Sequence, residues 1–583
     1  MALSPYEPLA QVYADLLRLT RGMAGLRLAL AEGVDRLEAT GGITRLGFPS
    51  LDAFGRERLG RSGRWLADAR ALARRLAMLP LVRAAYLAGE LSTSKAELVA
   101  RRLVRGGDVD EASQRQAIEQ ASALTVRQLR SLSGAACDED GVRHRVQLTR
   151  HVDRVEATAF EGAILMLQSL GATSRTDAIE GLLAEGLSTL LNGSTQPSPD
   201  LVARLAGPWP MSQGVADVAT GPVARSPLAP SVPDIGPEVP AGEGASIEEL
   251  DLGVRELAAE LTRRDMRLGV LAVEAERLGL AHRLGFETHD AFYRDALGIA
   301  PSSMAARIAL ARRIPSLPLL EAAIHNGAIG FEAATLVARV ARPTAEFAWL
   351  SLAETLTVKL FRERVDAAEL HARLNGLPLD RLEPPEAEHL EDARELERAV
   401  LGMVFTADSG GGSLALAVES DGPTSGVLCE AVEPSYPTGG GLNDDLPALG
   451  PVAIRLSLPE DLADFWRDLE VLHADVDDSS RTFVAFLVAA ALHTWRGVSR
   501  LPAYGEIYLR DRYRCQNPTC RSRHCTPHHI VFRSHGGGED TSNLVSLCER
   551  CHLDLVHGGH LAVTGRTPDA LTWTAAAYAI RPA

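Results

Sequence analysis

Residues 513–560 read YRCQNPTCRSRHCTPHHIVFRSHGGGEDTSNLVSLCERCHLDLVHGGH, and they decide the fold expected at the C-terminal end of the chain. Five of the seven cysteines and seven of the sixteen histidines of the chain lie in this stretch. Four residues separate Cys515 from Cys520 and two separate Cys548 from Cys551, which are spacings of zinc ligands. The stretch therefore predicts a small domain that a metal ion stabilises.

The paired cysteines predict a structural zinc site. Four sulfur ligands close a tetrahedral zinc site and leave no position for water, so such a site holds the fold and does no chemistry. One alternative arises from the spacing, because Cys525 follows Cys520 at the same interval as Cys520 follows Cys515. Cys525 could therefore replace Cys515 or Cys520, and the ligand set favoured here is Cys515, Cys520, Cys548 and Cys551.

The residues between the two cysteine pairs predict a strand, a turn and a helix. His528–Phe532 alternates in the manner of a strand, and glycines at 536–538 form a turn. Asp540 or Ser542 would cap a helix that runs on to His557. Adjacent strand residues point to opposite faces, so His528 and the residue after it cannot have the same task.

In its motif this segment resembles an HNH endonuclease, the ββα-metal nuclease fold, in the variant with a four-cysteine zinc site. The resemblance covers about 60 of the 583 residues and rests on the paired cysteines, the His-His pair, an asparagine and the final Cys-x2-Cys-His. It implies metal-dependent hydrolysis of phosphodiester bonds in DNA, either duplex or single-stranded.

The resemblance also implies a role for each residue of the motif. His529 would be the general base that activates water, and His528 and His552 would ligate one divalent cation. Asn543 would orient His529 or steady the loop at the metal. His557 is a further candidate ligand, although colicin-type relatives place this histidine four residues after the preceding ligand and here the interval is five.

Metal and substrate chemistry follow from these roles. The catalytic cation is expected to be Mg²⁺ or Mn²⁺. Mg²⁺ prefers oxygen ligands, and two imidazoles equally suit Mn²⁺, Ni²⁺ or Zn²⁺, so the ligands do not fix the identity of the metal. In-line attack by water would leave 5′-phosphate and 3′-hydroxyl ends. The expected phosphate contacts are Arg533 and Arg514. Arg533 closes the strand that carries His529.

Charge is unevenly distributed along the chain. The net charge of −16 does not favour nucleic-acid binding for the molecule as a whole. Residues 510–533, however, contain six arginines against one carboxylate, that of Asp511, which predicts a local basic face. No apolar run is long enough for a membrane span, and the N-terminus has no secretion signal, so a cytoplasmic protein is expected.

An internal duplication organises the rest of the chain. Residues 45–101 align without gaps to residues 283–339, so that RLGFPSLDAF in the first copy matches RLGFETHDAF in the second. Apolar residues recur every three or four positions through 62–78 and 302–314, which predicts a small helical bundle in each copy. Such a bundle could be a helix-turn-helix module or a compact scaffold.

A shorter echo follows each bundle and completes the repeat. The segments starting at residues 142 and 453 resemble each other, as do those starting at 175 and 481, and each copy predicts a short strand followed by two helices. The upstream region resembles the DUF222 (13E12-repeat) helical domain, which occurs before such nuclease domains in GC-rich bacteria. The duplication is compatible with a bivalent protomer, and a homodimer would permit double-strand cuts.

The predicted fold class is therefore mainly α, with two duplicated helical-bundle units that carry short strands, and with a small C-terminal ββα-metal zinc domain. The predicted ranges are 1–192 for the first unit, 193–246 for a disordered proline-rich linker, 247–500 for the second unit with a Gly-rich and acidic insertion, and 501–583 for the nuclease domain. The alternative function is that of a regulator or scaffold that binds nucleic acid through its zinc module without cutting it.

Overall fold

The computed structural model describes residues 7–134, 145–192, 245–405, 451–476, 482–495, 504–568 and 570–580. Helices dominate and the few strands are short and antiparallel, which confirms the mainly α fold class. The linker predicted at 193–246 lies outside the described residues up to position 244, and the insertion predicted at roughly 405–450 lies outside them from position 406 onward. No helix in the described ranges is both long enough and apolar enough to cross a lipid bilayer.

The first half of the chain forms ten helices and one strand among its described residues. They are α1 (Glu7–Ala39), α2 (Gly42–Arg45), α3 (Leu51–Leu59), α4 (Gly63–Ala77), α5 (Pro80–Leu87), α6 (Thr93–Gly106), α7 (Glu111–Ala123), α8 (Val126–Gly134), β1 (Arg145–Asp153), α9 (Arg154–Ser169) and α10 (Arg175–Asn192).

Helices also make up most of the described residues from Ile247 to Arg510. They are α11 (Ile247–Arg277), α12 (Leu280–Arg283), α13 (His289–Asp295), α14 (Pro301–Arg313), α15 (Pro318–His325), α16 (Phe331–Val340), α17 (Glu346–Thr355), α18 (Val358–Leu374), α19 (Ala387–Phe405), then strand β2 (Pro451–Pro459), α20 (Glu460–Val476), α21 (Phe483–Trp495) and α22 (Gly505–Arg510).

Two compact units contain the described residues. Unit 1 combines residues from Met1–Gly141, Asp217–Leu390 and Tyr513–Ala583, and unit 2 combines residues from Val142–Ala216 and Glu391–Arg512. Unit 1 thus holds both helical bundles together with the cysteine- and histidine-rich region. The four sequence ranges predicted above describe the order of segments along the chain, and they stay a prediction.

Local sequence signals explain where the helices of the first bundle begin. The Oγ atoms of Ser50 and Ser62 accept hydrogen bonds from the backbone N–H groups of the first turns of α3 and α4. Helix α5 begins at Pro80, whose fixed φ suits the first turn of a helix. Gly89 follows the end of α5 with a φ of 74°, and Ser92 occupies the N-cap of α6.

The duplication is preserved in the positions of the helices. Helices α13, α14, α15 and α16 begin at His289, Pro301, Pro318 and Phe331, each 238 positions after the start of its counterpart α3, α4, α5 or α6. Within unit 1 the long helices α1 and α11, which precede the repeats, pack against each other. The two bundles therefore share one core region.

A buried carboxylate joins the two bundles of unit 1. Asp265 on α11 is fully buried and accepts hydrogen bonds from Arg61 of the first bundle and from Nε of Arg307, at 2.7 Å, on α14. Burial alone raises the pKa of this carboxyl, but Arg307 and Arg61 hold it below its ordinary value. Removing one partner of such a buried pair costs about 3–5 kcal/mol, because the other charge stays buried without compensation.

Unit 2 is built from the strand and helices that echo each other in sequence. Strand β1 pairs with β2 in antiparallel register, with Leu148 opposite Leu456 and Val152 opposite Val452. Helices α9 and α10 pack with α21, and α20 packs against both strands. The short strand of one repeat therefore completes its hydrogen bonds with the strand of the other.

The C-terminal module, defined here as residues 513–580, contains five strands and a wide helix. Strand β3 (Thr526–His529) pairs antiparallel with β4 (Leu544–Leu547), and a π-type helix follows over Arg550–His557. Strands β5 (Leu561–Arg566), β6 (Ala570–Ala575) and β7 (Ala579–Ile580) form a second sheet. The strand–strand–helix order is that of a ββα unit.

The prediction of one helix from Asp540 or Ser542 to His557 was wrong. Residues 544–547 form a fully buried strand, and helix begins only after Cys548. The backbone explains the difference, because the N–H of Ile530 donates to the carbonyl of Asn543 at 2.8 Å and the N–H of Gln516 donates to that of Ser546 at 2.9 Å. These long-range partners stabilise extended backbone where the local sequence is also compatible with a helix.

Both helical bundles hold the C-terminal module in place. Nζ of Lys359 on α18 donates to the carbonyl oxygens of Cys515 at 2.8 Å and Asn517 at 2.9 Å. From the other bundle, the backbone carbonyl of Gly47 accepts a hydrogen bond from the Tyr578 hydroxyl at 3.0 Å. Gly47 has a φ of 95° and a Cβ there would lie 2.3 Å from a side-chain atom of the module, so glycine is required on two grounds.

Candidate functional site

Two groups of side chains of the types that bind metal ions, called here the metal-grade groups, lie in the C-terminal module. The first group consists of the buried side chains of Cys515, Cys520, Cys548 and Cys551, whose sulfur atoms all lie within 4.8 Å of one another. The Sγ atoms of Cys520 and Cys548 are 3.7 Å apart. Ligands at the usual Zn–S distance of about 2.3 Å in a tetrahedron are separated by about 3.8 Å, whereas a disulfide requires about 2.05 Å. The cluster therefore fits zinc and could bind it.

The electrostatics of the cluster also favour a bound cation. Hydrogen bonds from the neighbouring sulfurs lower the pKa of Cys548, whereas contacts with Cys515, Cys520 and Cys548 together with burial raise that of Cys551. Burial likewise raises the pKa of the Cys515 thiol. Four adjacent sulfurs cannot all ionise in a buried place unless a cation compensates the charge, and a divalent ion supplies that charge.

Cys525, the alternative ligand suggested by spacing, lies outside the cluster. Its Sγ donates to the carbonyl oxygen of Ser522 at 3.8 Å. Two donors instead complete the surroundings of the four sulfurs, since Nδ2 of Asn517 donates to Cys551 Sγ at 3.2 Å and the N–H of Ser522 donates to Cys520 Sγ at 3.5 Å. Such contacts orient thiolate ligands around a metal.

The second group consists of three histidines at the junction of β3 and the π-type helix. The structure brings together His528, His552 and His557, with one ring nitrogen of each within 4.8 Å of those of the others. His528 is 2% exposed, and its Nε2 is buried without a hydrogen-bond partner among the residues that the structure describes. A buried polar atom left in this state is costly unless a ligand satisfies it.

The imidazoles of His528 and His552 are prepared to act as neutral ligands. Burial, followed by the nearby rings of His552 and His557, lowers the pKa of His528 to about 4. Burial also lowers the pKa of His552, with smaller contributions from His557 and His529. A metal binds the unprotonated nitrogen, so a lowered pKa leaves the ligand available at neutral pH.

Thr526 fixes the orientation of the His552 ring. Its Oγ1 lies 3.0 Å from Nδ1 of His552 and donates to the carbonyl oxygen of Leu547 at 3.4 Å. When its single proton is directed at Leu547, the hydroxyl accepts from Nδ1–H of His552. That assignment puts the lone pair of His552 on Nε2, where it is available to a metal.

His529 lies next to His528 in β3 but has different neighbours. Its Nε2 accepts a hydrogen bond from Nε of Arg533 at 3.2 Å and lies 3.2 Å from Oε1 of Glu539. Arg533 and Glu539 also form an ion pair with each other. Partial desolvation raises the pKa of Glu539, but its hydrogen bonds with His529 and Arg533 hold it below the ordinary value. His529 is thus placed between a donor and an anionic acceptor.

Asn543 joins the ends of the loop between β3 and β4. Its Oδ1 accepts from the N–H of Val531 at 2.8 Å, and its Nδ2 donates to the carbonyl oxygens of Val531 at 3.2 Å and Gly538 at 2.9 Å. The amide therefore closes the loop that carries Arg533 and Glu539. Among the described residues the side chain of Asn543 makes no hydrogen bond to His529, so we expect its effect on that residue to pass through the loop.

The two arginines proposed as phosphate contacts lie in different surroundings. The side chain of Arg533 is 63% exposed beside His529, where an incoming phosphate can reach it. Arg514 is half-buried at the start of the cysteine loop, next to Cys515. The structure thus places Arg533, and not Arg514, in contact with the candidate general base.

Sequence reasoning did not identify Glu539 and Thr526. Glu539 follows three glycines, and an acidic residue in an exposed loop is ordinarily a solvated side chain. Thr526 directly precedes Pro527 and the two histidines, and nothing in the spacing distinguishes it from other strand threonines. Only the pairing of β3 with β4 and the turn after β3 show what these side chains contact.

Comparison with known proteins gives one match, which falls on this region. A family model described as HNH endonuclease matches residues 513–556. No curated protein and no solved structure matches the chain. The match indicates a nuclease or a related nucleic-acid function that depends on metal, in the part of the chain where both metal-grade groups lie.

Proposed function

We propose that the protein is a metal-dependent endonuclease that hydrolyses phosphodiester bonds in DNA. The observation that carries this proposal is the position of His529, which lies inside the region that matches the HNH endonuclease model and beside the group of His528, His552 and His557. His529 is close enough to this histidine group to influence the pKa of His528 and His552. A base and a cation site that lie close enough to influence each other's charge can act on the same phosphate.

The proposed cation site consists of His528, His552 and His557, and the unpartnered Nε2 of His528 supports the fit. When bound, a divalent cation supplies positive charge that stabilises the pentacovalent phosphate and the departing 3′ oxygen. Three nitrogen donors suit Mn²⁺ or another transition metal at least as well as Mg²⁺. The four-cysteine cluster holds the proposed structural zinc and takes no part in the reaction.

His529 is the proposed general base, and its neighbours explain how it handles a proton. In the neutral ring that accepts the hydrogen bond from Arg533, Nε2 carries a lone pair. When Arg533 turns to the phosphate, that lone pair becomes available to the attacking water, whose oxygen bonds to phosphorus as its proton moves to Nε2. The resulting Nε2–H can donate to Glu539, which stabilises the imidazolium.

Arg533 and Asn543 have supporting roles in this proposal. Arg533 is the proposed phosphate contact at the cleaved bond, with Arg514 as a second contact at the cysteine loop. Asn543 is a positioning residue, because it holds the loop that presents Arg533 and Glu539. The upstream helical repeats, with their resemblance to DUF222 domains, are proposed to bind DNA or a partner.

A plasmid-cleavage experiment tests the proposal. Zinc-loaded full-length protein is incubated with supercoiled plasmid, linear duplex and single-stranded DNA in Mg²⁺, Mn²⁺ or Ni²⁺, and the ends are mapped. We expect nicks with 5′-phosphate ends, which disappear with His529→Ala and His552→Ala. His524→Ala is the matched control, because this histidine is exposed and lies outside both metal-grade groups. Cleavage that persists in His529→Ala would show that another group is the base.

A non-cleaving regulator or scaffold is the second candidate function. One observation favours it, namely that Nε2 of His529 is already engaged by Arg533 and Glu539. A protein of this kind would bind DNA with the same affinity in wild type and His529→Ala and would cleave none of the substrates in any of the three metals. That combined outcome distinguishes it from the endonuclease.

A further inference from the structure

A cavity of about 420 Å³ adjoins the histidine group, since His528 is one of its lining residues. His528 forms part of its wall, together with Phe532, Leu561 and Val563 of the C-terminal module. Arg45, from the first helical bundle, lines the same cavity. The volume lies within the range of about 300–1,000 Å³ that is typical of ligand-binding pockets. The cavity therefore has room for a ligand that extends from the histidine group to the helical region.

The charge of the lining favours an anion. No carboxylate lines this cavity among the described residues, although the whole chain carries a net charge of −16. Arg45 is exposed, and its guanidinium has no hydrogen bond or ion pair within the part of the chain that the structure describes. His560 adds a third nitrogen-bearing side chain to the wall, after Arg45 and His528. An unpaired guanidinium above apolar walls suits a phosphate that is attached to a sugar and a base.

The duplication provides an internal comparison for Arg45. Arg283 is its counterpart in the second repeat, 238 positions later in the same Arg-Leu-Gly-Phe sequence. In the first repeat, a Cβ on Gly47 would meet Ala575 of the C-terminal module at 2.3 Å, whereas a Cβ on Gly285 would meet nothing within 4 Å. The C-terminal module thus packs against Gly47 in the first repeat, whereas the surroundings of Gly285 in the second repeat are open.

We infer that this cavity binds a nucleotide of the DNA strand next to the cleaved bond, with Arg45 contacting its phosphate. The inference rests on the proposed function and extends it, because it gives the first helical repeat a direct part in substrate binding. The apolar walls contact the sugar and base without reading their hydrogen-bonding edges, so the contact is independent of sequence. The second repeat carries the same arginine, but nothing among the described residues would lie within 4 Å of a Cβ on Gly285.

Binding measurements test this inference apart from cleavage. Every variant is made in the full-length, zinc-loaded His529→Ala background, and its affinity for a fluorescent DNA oligonucleotide is measured by anisotropy over a series of salt concentrations. We expect Arg45→Ala to weaken binding about tenfold and to reduce the slope of log K against log salt by about 1, as the loss of one phosphate contact requires. Arg283→Ala is the matched control and is expected to bind like its parent.

A second pair of variants tests the cavity without changing its charge. Ala562 lines the cavity and is exposed, so Ala562→Trp should fill the space and weaken binding without a change in the salt slope. Thr564→Trp, two residues along the same strand and also exposed, is the control. Circular dichroism and zinc content confirm that all four variants fold.

The possible outcomes separate this inference from the proposed function. An affinity and a salt slope equal to those of the His529→Ala parent for Arg45→Ala, or an equal loss for Arg45→Ala and Arg283→Ala, would overturn the inference even if the protein cleaves DNA. A selective loss with Arg45→Ala and Ala562→Trp would support it even if no cleavage is found in any metal. In that case the proposed hydrolysis fails and the DNA-binding site stands.

Discussion

Oγ1 of Thr526 lies 3.0 Å from Nδ1 of His552 and 3.4 Å from the carbonyl oxygen of Leu547. When the threonine proton is directed at Leu547, the hydroxyl accepts from Nδ1–H of His552 and the free lone pair of His552 is on Nε2. A threonine in β3 thereby determines which ring nitrogen of a histidine on the neighbouring helix carries the lone pair, and the threonine itself is not a ligand of the proposed metal. The same relationship gives the first prediction.

Thr526→Val keeps the shape of the side chain but removes the acceptor for Nδ1–H of His552. We expect the affinity of the histidine group for Mn²⁺ to fall by about 10- to 100-fold, the usual effect of losing an outer partner of a ligating histidine. Isothermal titration of the zinc-loaded protein measures it. Thr526→Ser, which keeps the hydroxyl, should titrate like wild type. An unchanged affinity in the valine variant would show that the ring needs no such partner.

Removal of one cysteine ligand should unfold the C-terminal module. The four cysteines belong to the same buried cluster as Leu547, Leu555 and Trp573, so loss of zinc opens the core. We expect Cys551→Ser to lose bound zinc and most of the roughly 10 kcal/mol or more that structural zinc contributes to folding. Metal analysis and urea unfolding measure both effects. Cys525→Ser should behave like wild type, since Cys525 lies outside the cluster.

Stability of the protein without metal at the histidine group should fall in mild acid because of His528. Burial lowers the pKa of this residue to about 4, so the unfolded chain binds a proton near pH 6.5 that the folded chain rejects. The contribution of the neutral His528 ring to the free energy of unfolding is fully present above pH 6.5 and is lost as the pH falls toward 4. We expect His528→Asn to remove about 1.4 kcal/mol of the decrease in unfolding free energy between pH 7.5 and 5.5.

The comparison with His528→Asn is made by urea unfolding at each pH, with zinc still bound to the cysteines. Equal pH dependence in the two proteins would show that His528 does not keep its proton off in the folded state. Histidine to asparagine removes the titrating ring but leaves a polar side chain, so a general loss of stability at all pH values does not affect the test.

Asn543 should matter more for stability and catalysis than for DNA binding. Replacement by alanine removes three hydrogen bonds of the loop, to Val531 twice and to Gly538, and should cost about 1–3 kcal/mol. Asn543→Asp should be no milder, because its carboxylate would face two carbonyl oxygens. Chemical unfolding and single-turnover cleavage test both variants against Ser542→Ala, a neighbouring control. A catalytic loss without any loss of stability would contradict the loop-closing role.

Glu539 should affect turnover and leave DNA affinity almost unchanged. Glu539→Gln keeps the shape but removes the charge that faces Nε2 of His529, and we expect kcat to fall about tenfold, part of the 10²- to 10⁴-fold that a general base provides. KM should change little. The exposed neighbour Asp540 gives the control variant Asp540→Asn. A rise in KM with unchanged kcat would assign Glu539 to substrate binding instead.

Much of the C-terminal module follows from its spacing. The four cysteines come together as the two pairs predict, because short loops restrict which sulfurs can meet around one ion. The alternation of β3 places His528 in the interior and His529 beside the loop. Residues 544–547, in contrast, were assigned to a helix, because their strand pairing depends on partners in other segments of the chain.

Other features could not be read from local patterns at all. Lys359 is one of only two lysines in the chain, and nothing around it in sequence indicates that it contacts a loop 156 residues later. The pairing of β1 with β2 joins segments about 300 residues apart, so the sequence of either strand alone does not identify the strand with which it pairs. Such contacts depend on how whole elements pack.

The buried ammonium of Lys359 makes the proposed zinc site an effector of the helical region. Its two acceptors are the carbonyls of Cys515 and Asn517, so we expect loss of the metal to loosen the loop that satisfies a charge within α18. Coupling of this kind is reciprocal. A change in α18 that weakens these two contacts is therefore expected to weaken zinc binding by the same free energy by which zinc strengthens the contacts. We also expect a protease that removed the module to destabilise the second helical bundle.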